Sequence, residues 1–481
     1  MALFFPTSVT ALRREFAPTL RLALPLVFAE LGWMSMGVVD MIMVGRLPNS
    51  AIAIGATGLG QTLYHSIGIF GGGLLLGMDT FVAQPYGRED LHDARRTLLN
   101  GLLLAFALTP PLMLAVLSWS PLMRAFGISP ELVGPMTPFL RALNWGTLPL
   151  LVYFALRRYL QAVNVVKPIM FALISANAVN AVGDWILIYG HLGFPAMGTT
   201  GSGWSTCIAR IYMSLALMMT LFWVGSKRKI ARWESSPQID LGRVLQLLRL
   251  GLPAAAQILL EIGAFAVAAA MCARLGPVPL SGHEVALNCA AVAFMVPLGV
   301  SSAAAVRVGQ VLGRGDLSAA RRAGSSAILL GVGFMTCSGL IFVSADRILT
   351  RAFTPDPDVI RIGATLLLVA AVFQMFDGLQ VVTTGALRGS GDTHTAMLAN
   401  LLAYWFIGLP LGYLLGFRLH WGAVGIWIGQ CLGLMLIGSA LVVAWSRRMR
   451  TQSLAISGFA RPDINSPTGT RQAWAESEDR T

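Results

Sequence analysis

The chain has 481 residues, 55% hydrophobic and 12% charged, where soluble domains carry roughly 25% charged residues, so a soluble globular fold is excluded. A net charge of +12 on a soluble protein would suggest nucleic acid. Here the arginines, and the only lysines, Lys167, Lys227 and Lys229, gather between apolar runs, as in the cytoplasmic loops of membrane proteins, and no nucleic-acid partner is expected.

Residues 1–19 read as a short cytoplasmic N-terminus without the apolar stretch and cleavage site of a secretory signal. Twelve apolar runs follow, with cores at 20–44, 54–83, 97–118, 138–160, 168–190, 198–224, 248–275, 283–306, 323–345, 359–385, 396–417 and 421–445. Each fits a helix of roughly 20 residues that crosses the hydrocarbon layer. Barrel strands are excluded, because the runs do not alternate. The expected fold is an all-α integral membrane protein with twelve transmembrane helices.

An ionisable residue inside a span is costly and by default marks function. The first span holds Glu30 and Asp40, and the second ends near Asp79. The fifth carries Asn177, Asn180 and Asp184 at i, i+3 and i+7, one helix face. The sixth holds Thr206 and Arg210. Asp184 and Asn180, with Asp40 and Thr206 from neighbouring spans, offer oxygens to a hard cation such as Na⁺. A carboxylate taken out of water is equally able to hold a proton.

The seventh span places Gln257 and Glu261 at i, i+4. The tenth spaces Gln374, Asp377 and Gln380 by threes, flanked by Phe373 and Phe376. A carboxylate beside aromatic rings suits a lipophilic organic cation, which gains charge pairing and cation–π attraction. Glu261 and Asp377 are a second candidate place for Na⁺ or H⁺. Glu30 and Asp79, nearer span ends, are expected to pair with loop arginines. Asn177 reads as polar glue between helices, and Arg210 as the counter-charge of a buried acid.

With the N-terminus inside, the inner segments up to residue 450 hold 23 basic residues and the outer ones 8. That bias puts both termini in the cytoplasm. The chain also repeats itself. LRLALP at 20–25 matches LRLGLP at 248–253, and QPYGREDLHDARR at 84–96 matches QVLGRGDLSAARR at 310–322 with 8 identities in 13. The reading is an amino-terminal six-helix lobe (20–224), a cytoplasmic linker (225–247), a carboxy-terminal six-helix lobe (248–445) and a disordered cytoplasmic tail (446–481). An even span count per lobe makes the repeats parallel, related by an axis along the membrane normal.

No P-loop, HExxH or GxSxG is present, so no enzyme activity and no ATP hydrolysis are expected. Repeated lobes suit alternating access driven by an ion gradient.

Six stretches resemble the multidrug and toxic compound extrusion (MATE) transporters, in the bacterial NorM-like branch. They are GVVDMIMVGRL (37–47), VAQPYGRED (82–90), NAVNAVGDWILIYG (177–190), LLEIGAF (259–265), GHEVALN (282–288) and FQMFDGLQVVTTGALRGSGDT (373–393). The resemblance implies two six-helix lobes in the bacterial inner membrane that export cationic drugs against Na⁺ or H⁺, without a cofactor. By it, Asp40, Asn180, Asp184 and Thr206 match the family's amino-lobe site, and Glu261 and Asp377 its carboxy-lobe carboxylates. Glu284 departs, standing where relatives commonly carry Gln. The expected partners are lipophilic organic cations and membrane lipid, and the expected unit is a monomer. The alternative, a flippase of lipid-linked sugars from the same superfamily, should cluster Arg or Lys against a pyrophosphate, whereas the buried groups here are mainly acids.

Overall fold

The computed structural model describes residues 9–228 and 239–459. The middle of the expected linker (229–238), the first eight residues and the tail from 460 onward lie outside the described residues. Among the described residues the secondary structure is helical throughout. The first half holds α1 (Val9–Val44), α2 (Ser50–Leu74), α3 (Gly77–Gly87), α4 (Leu91–Ala125), α5 (Pro130–Asn144), α6 (Thr147–Ala162), α7 (Lys167–Tyr189) and α8 (Thr199–Arg228). The second holds α9 (Leu241–Leu275), α10 (Pro277–Gly313), α11 (Leu317–Ser344), the short α12 (Asp346–Arg351), α13 (Pro357–Gly389), α14 (His394–Asn400), α15 (Leu409–Tyr413) and α16 (Gly422–Phe459). Two π-helical stretches, Leu401–Gly408 and Leu414–Arg418, join α14 and α15 into one span.

Among the described residues, eleven helical runs are long and apolar enough to cross a membrane. The twelfth is α5 with α6, bent by 47° at Trp145 and Gly146. The repeat partner of this bent pair, α13, is continuous, as is α10, partner of the interrupted pair α2 and α3. The apolar pattern ends the last span at 445, whereas α16 runs on to Phe459. The segment read as a disordered tail therefore starts as helix.

Local sequence fixes the helix ends, and does so twice. Asp90 caps α4 by accepting from the Asp93 amide, and Asp316, 226 positions on, caps α11 from the Ala319 amide at 2.8 Å. Such caps satisfy an amide that has no partner inside the helix. The left-handed turn residues recur at similar offsets: Glu89 (φ 65°) with Gly315 (79°), and Asn164 (62°) with Gly391 (81°).

The two halves meet reciprocally. In the first half α1 packs on α10 and α11 of the second, while α9 of the second packs on α2, α3 and α4 of the first. Gln84 Nε2 donates to the carbonyl of Gly389 at 3.2 Å, and Gln310 Nε2 donates to the carbonyl of Ala162 at 2.8 Å. Gln84 with Gln310, and Ala162 with Gly389, are repeat equivalents, 226 and 227 residues apart. Gly87 lies against the Gln310 carbonyl and Gly313 against the Gln84 carbonyl, where a Cβ would collide. Arg96–Asp240, Arg243–Asp93 and Arg307–Glu15 join the halves at the same end. This seam lies at the end of the bundle richest in arginine, hereafter the basic end.

Candidate functional site

In the first half, α1, α7 and α8 bring Asp40, Asn180, Asp184 and Thr206 together. Each acid lies within a few residues of its helix end opposite the basic end. Thr206 Oγ1 donates to Asp40 Oδ2 at 3.2 Å. Asn180 Nδ2 donates to Ser205 Oγ at 2.9 Å, and Ser205 Oγ to the Asn180 carbonyl at 2.7 Å. That crossed pair clamps α7 to α8, helped by Gly183, whose bare Cα admits the Ser205 side chain. The Asp40 and Asp184 carboxyls lie within hydrogen-bonding reach of each other, and they are 5% and 0% exposed.

Two carboxylates so close and so dry cannot both stay ionised without a shared proton or cation. Oδ1 of Asp40, Oδ1 of Asn180 and both oxygens of Asp184 lack donors from the protein. Oxygen lone pairs without a donor are thus gathered on neighbouring helices, the kind of group a proton or a hard cation seeks.

Arg210 makes no ion pair with these acids within salt-bridge distance. Its guanidinium lies over the Tyr64 ring, 4.5 Å from the centroid, and acts on Asp40 through space. Asn177 faces α1, donating to the carbonyl of Gly32 at 2.9 Å, which places it between helices and not with the acids.

In the second half, Gln257 Nε2 and Gln380 Nε2 both donate to Glu261 Oε2, at 3.3 and 3.2 Å. Asp377 on α13 is near enough to Glu261 for the two charges to oppose each other. One turn from both acids stands an aromatic layer: Phe265 is at i+4 from Glu261, and Phe373 at i−4 from Asp377. Their rings meet edge to face at 6.0 Å, and Tyr404, from the first π-helical stretch, meets Phe265 at 6.0 Å. Phe373 thus sits beside the acids. Phe376 instead packs as a partly buried side chain in the second-half core. Gln374 donates to Ser338 Oγ on α11 at 3.0 Å and is fully buried, so its amide faces another helix.

The remaining intramembrane acids are tied up. Glu30 pairs with Arg157, and Asp79 lies 3.0 Å from Arg388 and 3.6 Å from Arg158. Glu284 lines a cavity of about 510 Å³ with Ser281, Asn288, Phe353 and Thr354, toward the end opposite the seam and apart from both carboxylate sites.

Sequence reasoning passed over an aromatic cluster in the first half. Trp33 stacks on Tyr153 at 6.4 Å, leans on Phe154 at 5.8 Å, and donates from Nε1 to His65 Nε2 at 3.4 Å. The signal was present: Trp33 is the repeat equivalent of Glu261, 228 positions away. Where one half offers a carboxylate, the other offers an indole.

One family model, described as MatE, matches residues 25–186 and again 253–414, the same offset of 228 that relates the two LRLxLP runs. The chain belongs to the MatE family. It is similar to the "Probable multidrug resistance protein NorM" of Mesorhizobium japonicum, 36% identical over 91% of this chain and 95% of that protein. The "Multidrug resistance protein NorM" of Burkholderia vietnamiensis is 35% identical over 92% of this chain and 96% of that one. Among solved structures, the eukaryotic MATE transporter AtDTX14 superposes with a TM-score of 0.83 at 21% identity, covering 92% of this chain and 99% of that one. That likeness shows the MATE fold of two helical repeats in a multi-pass membrane protein.

Proposed function

We propose that this MatE-family chain is a secondary active multidrug efflux antiporter of the bacterial plasma membrane, exporting lipophilic organic cations in exchange for Na⁺ or H⁺. The names of the NorM relatives, multidrug resistance proteins, support the drug class. The bias of 23 basic residues to 8 supports cytoplasmic termini, which makes the basic end the cytoplasmic one. The observation that carries the coupling is the Asp40–Asp184 pair, two dry carboxyls that need a positive charge between them. Filling that need from outside with an ion or proton, and emptying it inside, is the ion half of an antiport cycle.

The second-half acids carry the organic cation in this reading. Glu261, held by Gln257 and Gln380, and Asp377 provide negative charge, and Phe265 and Phe373 provide apolar and π surface one turn away. Binding of the coupling ion and of the organic cation to different lobe conformations couples the two fluxes.

The direct test is Asp184→Asn in proteoliposomes loaded with ethidium. It is expected to slow gradient-driven efflux by about tenfold or more, because one carboxyl can no longer share a proton or cation. Asn177→Ala, at the inter-helix position on the same face, is expected to stay within about twofold of the parent. Parent-like efflux in folded Asp184→Asn would remove the first-half site from the coupling role.

A further inference from the structure

Asp79 on α3 is 1% exposed and sits between two guanidiniums. Arg158, on α6, belongs to the same half. Arg388, at the end of α13, belongs to the other, and its Nε lies 3.0 Å from Asp79 Oδ2. The hydroxyl of Thr80 donates to the carbonyl of Arg388 beside this contact. Neither oxygen of Asp79 takes an aligned hydrogen bond, and neither does Arg388 Nε. What joins the halves here is an ion pair at 3.0 Å without an aligned hydrogen bond.

The seam around it is built twice, through Gln84 and Gln310 on equivalent carbonyls and through Gly87 and Gly313 in equivalent clefts. The ion pair is built once. The repeat counterparts of Asp79 and Arg388 are Ala305 and Gln161, at offsets 226 and 227. A duplicated scaffold explains the glutamine bridges; it does not explain a charge pair on one side only.

We propose that Asp79 and Arg388 form a one-sided lock that sets the balance between the closed and the separated seam at the basic end. The consequence for transport rests on the antiporter reading. Asp79 is a positioning residue, since it holds the halves and touches no transported ion in this account. Without its charge, Arg158 and Arg388 would face each other across the seam as like charges in a dry interface, which favours separation. Arg388→Gln removes this one cross-seam attraction while leaving Asp79 paired with Arg158 inside one half, and the ion pairs Arg96–Asp240, Arg243–Asp93 and Arg307–Glu15 in place.

The test is a distance measurement by double electron–electron resonance between spin labels at Glu89 and Ser318. Both are exposed and stand at the basic end of opposite halves. The full chain is used in lipid vesicles, with its five native cysteines replaced. The parent is expected to show mainly the short, closed-seam distance. Asp79→Asn and Arg388→Gln are each expected to raise the ratio of long to short distances by about tenfold or more. Arg158→Gln, which breaks only the contact within one half, is expected to leave the distribution near the parent's. Parent-like distributions in both Asp79→Asn and Arg388→Gln would overturn the lock. So would separation in Arg158→Gln equal to theirs, since any lost buried charge would then suffice. If Asp79→Asn fails to fold, Arg388→Gln reads the same contact from the other side. No transported compound enters the measurement, so the lock and the antiport reading can fail separately.

Discussion

Which amides stand around Glu261 decides what each glutamine near it can do. Gln257 and Gln380 point their donors at one carboxylate oxygen, whereas Gln374, three residues before Asp377, spends its donor on Ser338. Gln380→Ala is therefore expected to weaken the apparent affinity for an organic cation by about tenfold, as loss of a hydrogen bond to a charged group implies. Gln374→Ala is expected to change that affinity by less than about twofold, with its cost appearing in thermal stability. Initial efflux rates against dye concentration separate the two. Equal effects from both would mean that the spacing by threes along α13, and not the hydrogen bonds, defines the site.

At this scale much was legible. Charged and amide residues inside apolar runs are rare enough to stand out, so Asp40, Asn180, Asp184, Thr206, Glu261 and Asp377 could be picked one at a time, and the fold brings them into two groups. The direction of a side chain was less legible. Helical periodicity puts Gln374, Asp377 and Gln380 within a broad arc, but only the packed structure shows that Gln374 turns to Ser338 on α11 and Gln380 to Glu261 on α9. Trp33, an apolar residue in an apolar span, gave no signal except its repeat position opposite Glu261.

Helices and their ends form the next scale. Where the chain turns at the basic end, Asp90 and Asp316 cap equivalent helices. The backbone amide of Ala319 and the hydroxyl of Ser318 hold the Asp316 carboxyl below the ordinary carboxylate range. Its ionised form is favoured by folding. The stabilisation is thus present above the ordinary carboxylate pKa and fades as pH falls through the lowered one. Asp316→Ala is expected to cost about 1 kcal/mol, read as a lower melting temperature at neutral pH. The difference from the parent should shrink in acid. A gap that is constant with pH would assign the effect to something other than the cap.

Helix existence was legible because length and hydropathy suffice for it. Breaks were not. The 47° bend between α5 and α6 and the interruption between α2 and α3 fall inside runs that length and hydropathy read as single spans. The π-helical stretches have a packing cause that a one-dimensional reading misses. Gly408, Gly412 and Gly416 face Gly425, Gly429 and Gly433 of α16 so closely that added Cβ atoms would meet backbone there. Small residues at such spacing let two helices approach in lipid, and the span adjusts its winding to keep that face aligned.

The whole molecule is one unit used twice and then made unequal. Recurring caps, left-handed turns and reciprocal glutamine bridges keep the two halves alike at the basic end. The functional groups differ: a carboxyl pair near one end of the first half, and a deeper acid pair beneath an aromatic layer in the second. Identical halves would bind the same ligand twice; unequal halves can bind an ion and an organic cation under one rocking motion. The repeat was visible in the sequence as matched strings 226 to 228 residues apart. The seam was not, because Gln84 and Ala162 carry no mark of the partners they find across it.

The measurement that bears most directly on this account is ethidium efflux from proteoliposomes of the unmodified chain under an imposed Na⁺ gradient or an imposed pH gradient, each applied alone. The account predicts efflux driven by one of the two gradients, which also names the coupling ion. An absence of movement under either gradient, for protein shown to be folded in the same vesicles, would contradict ion-coupled drug export.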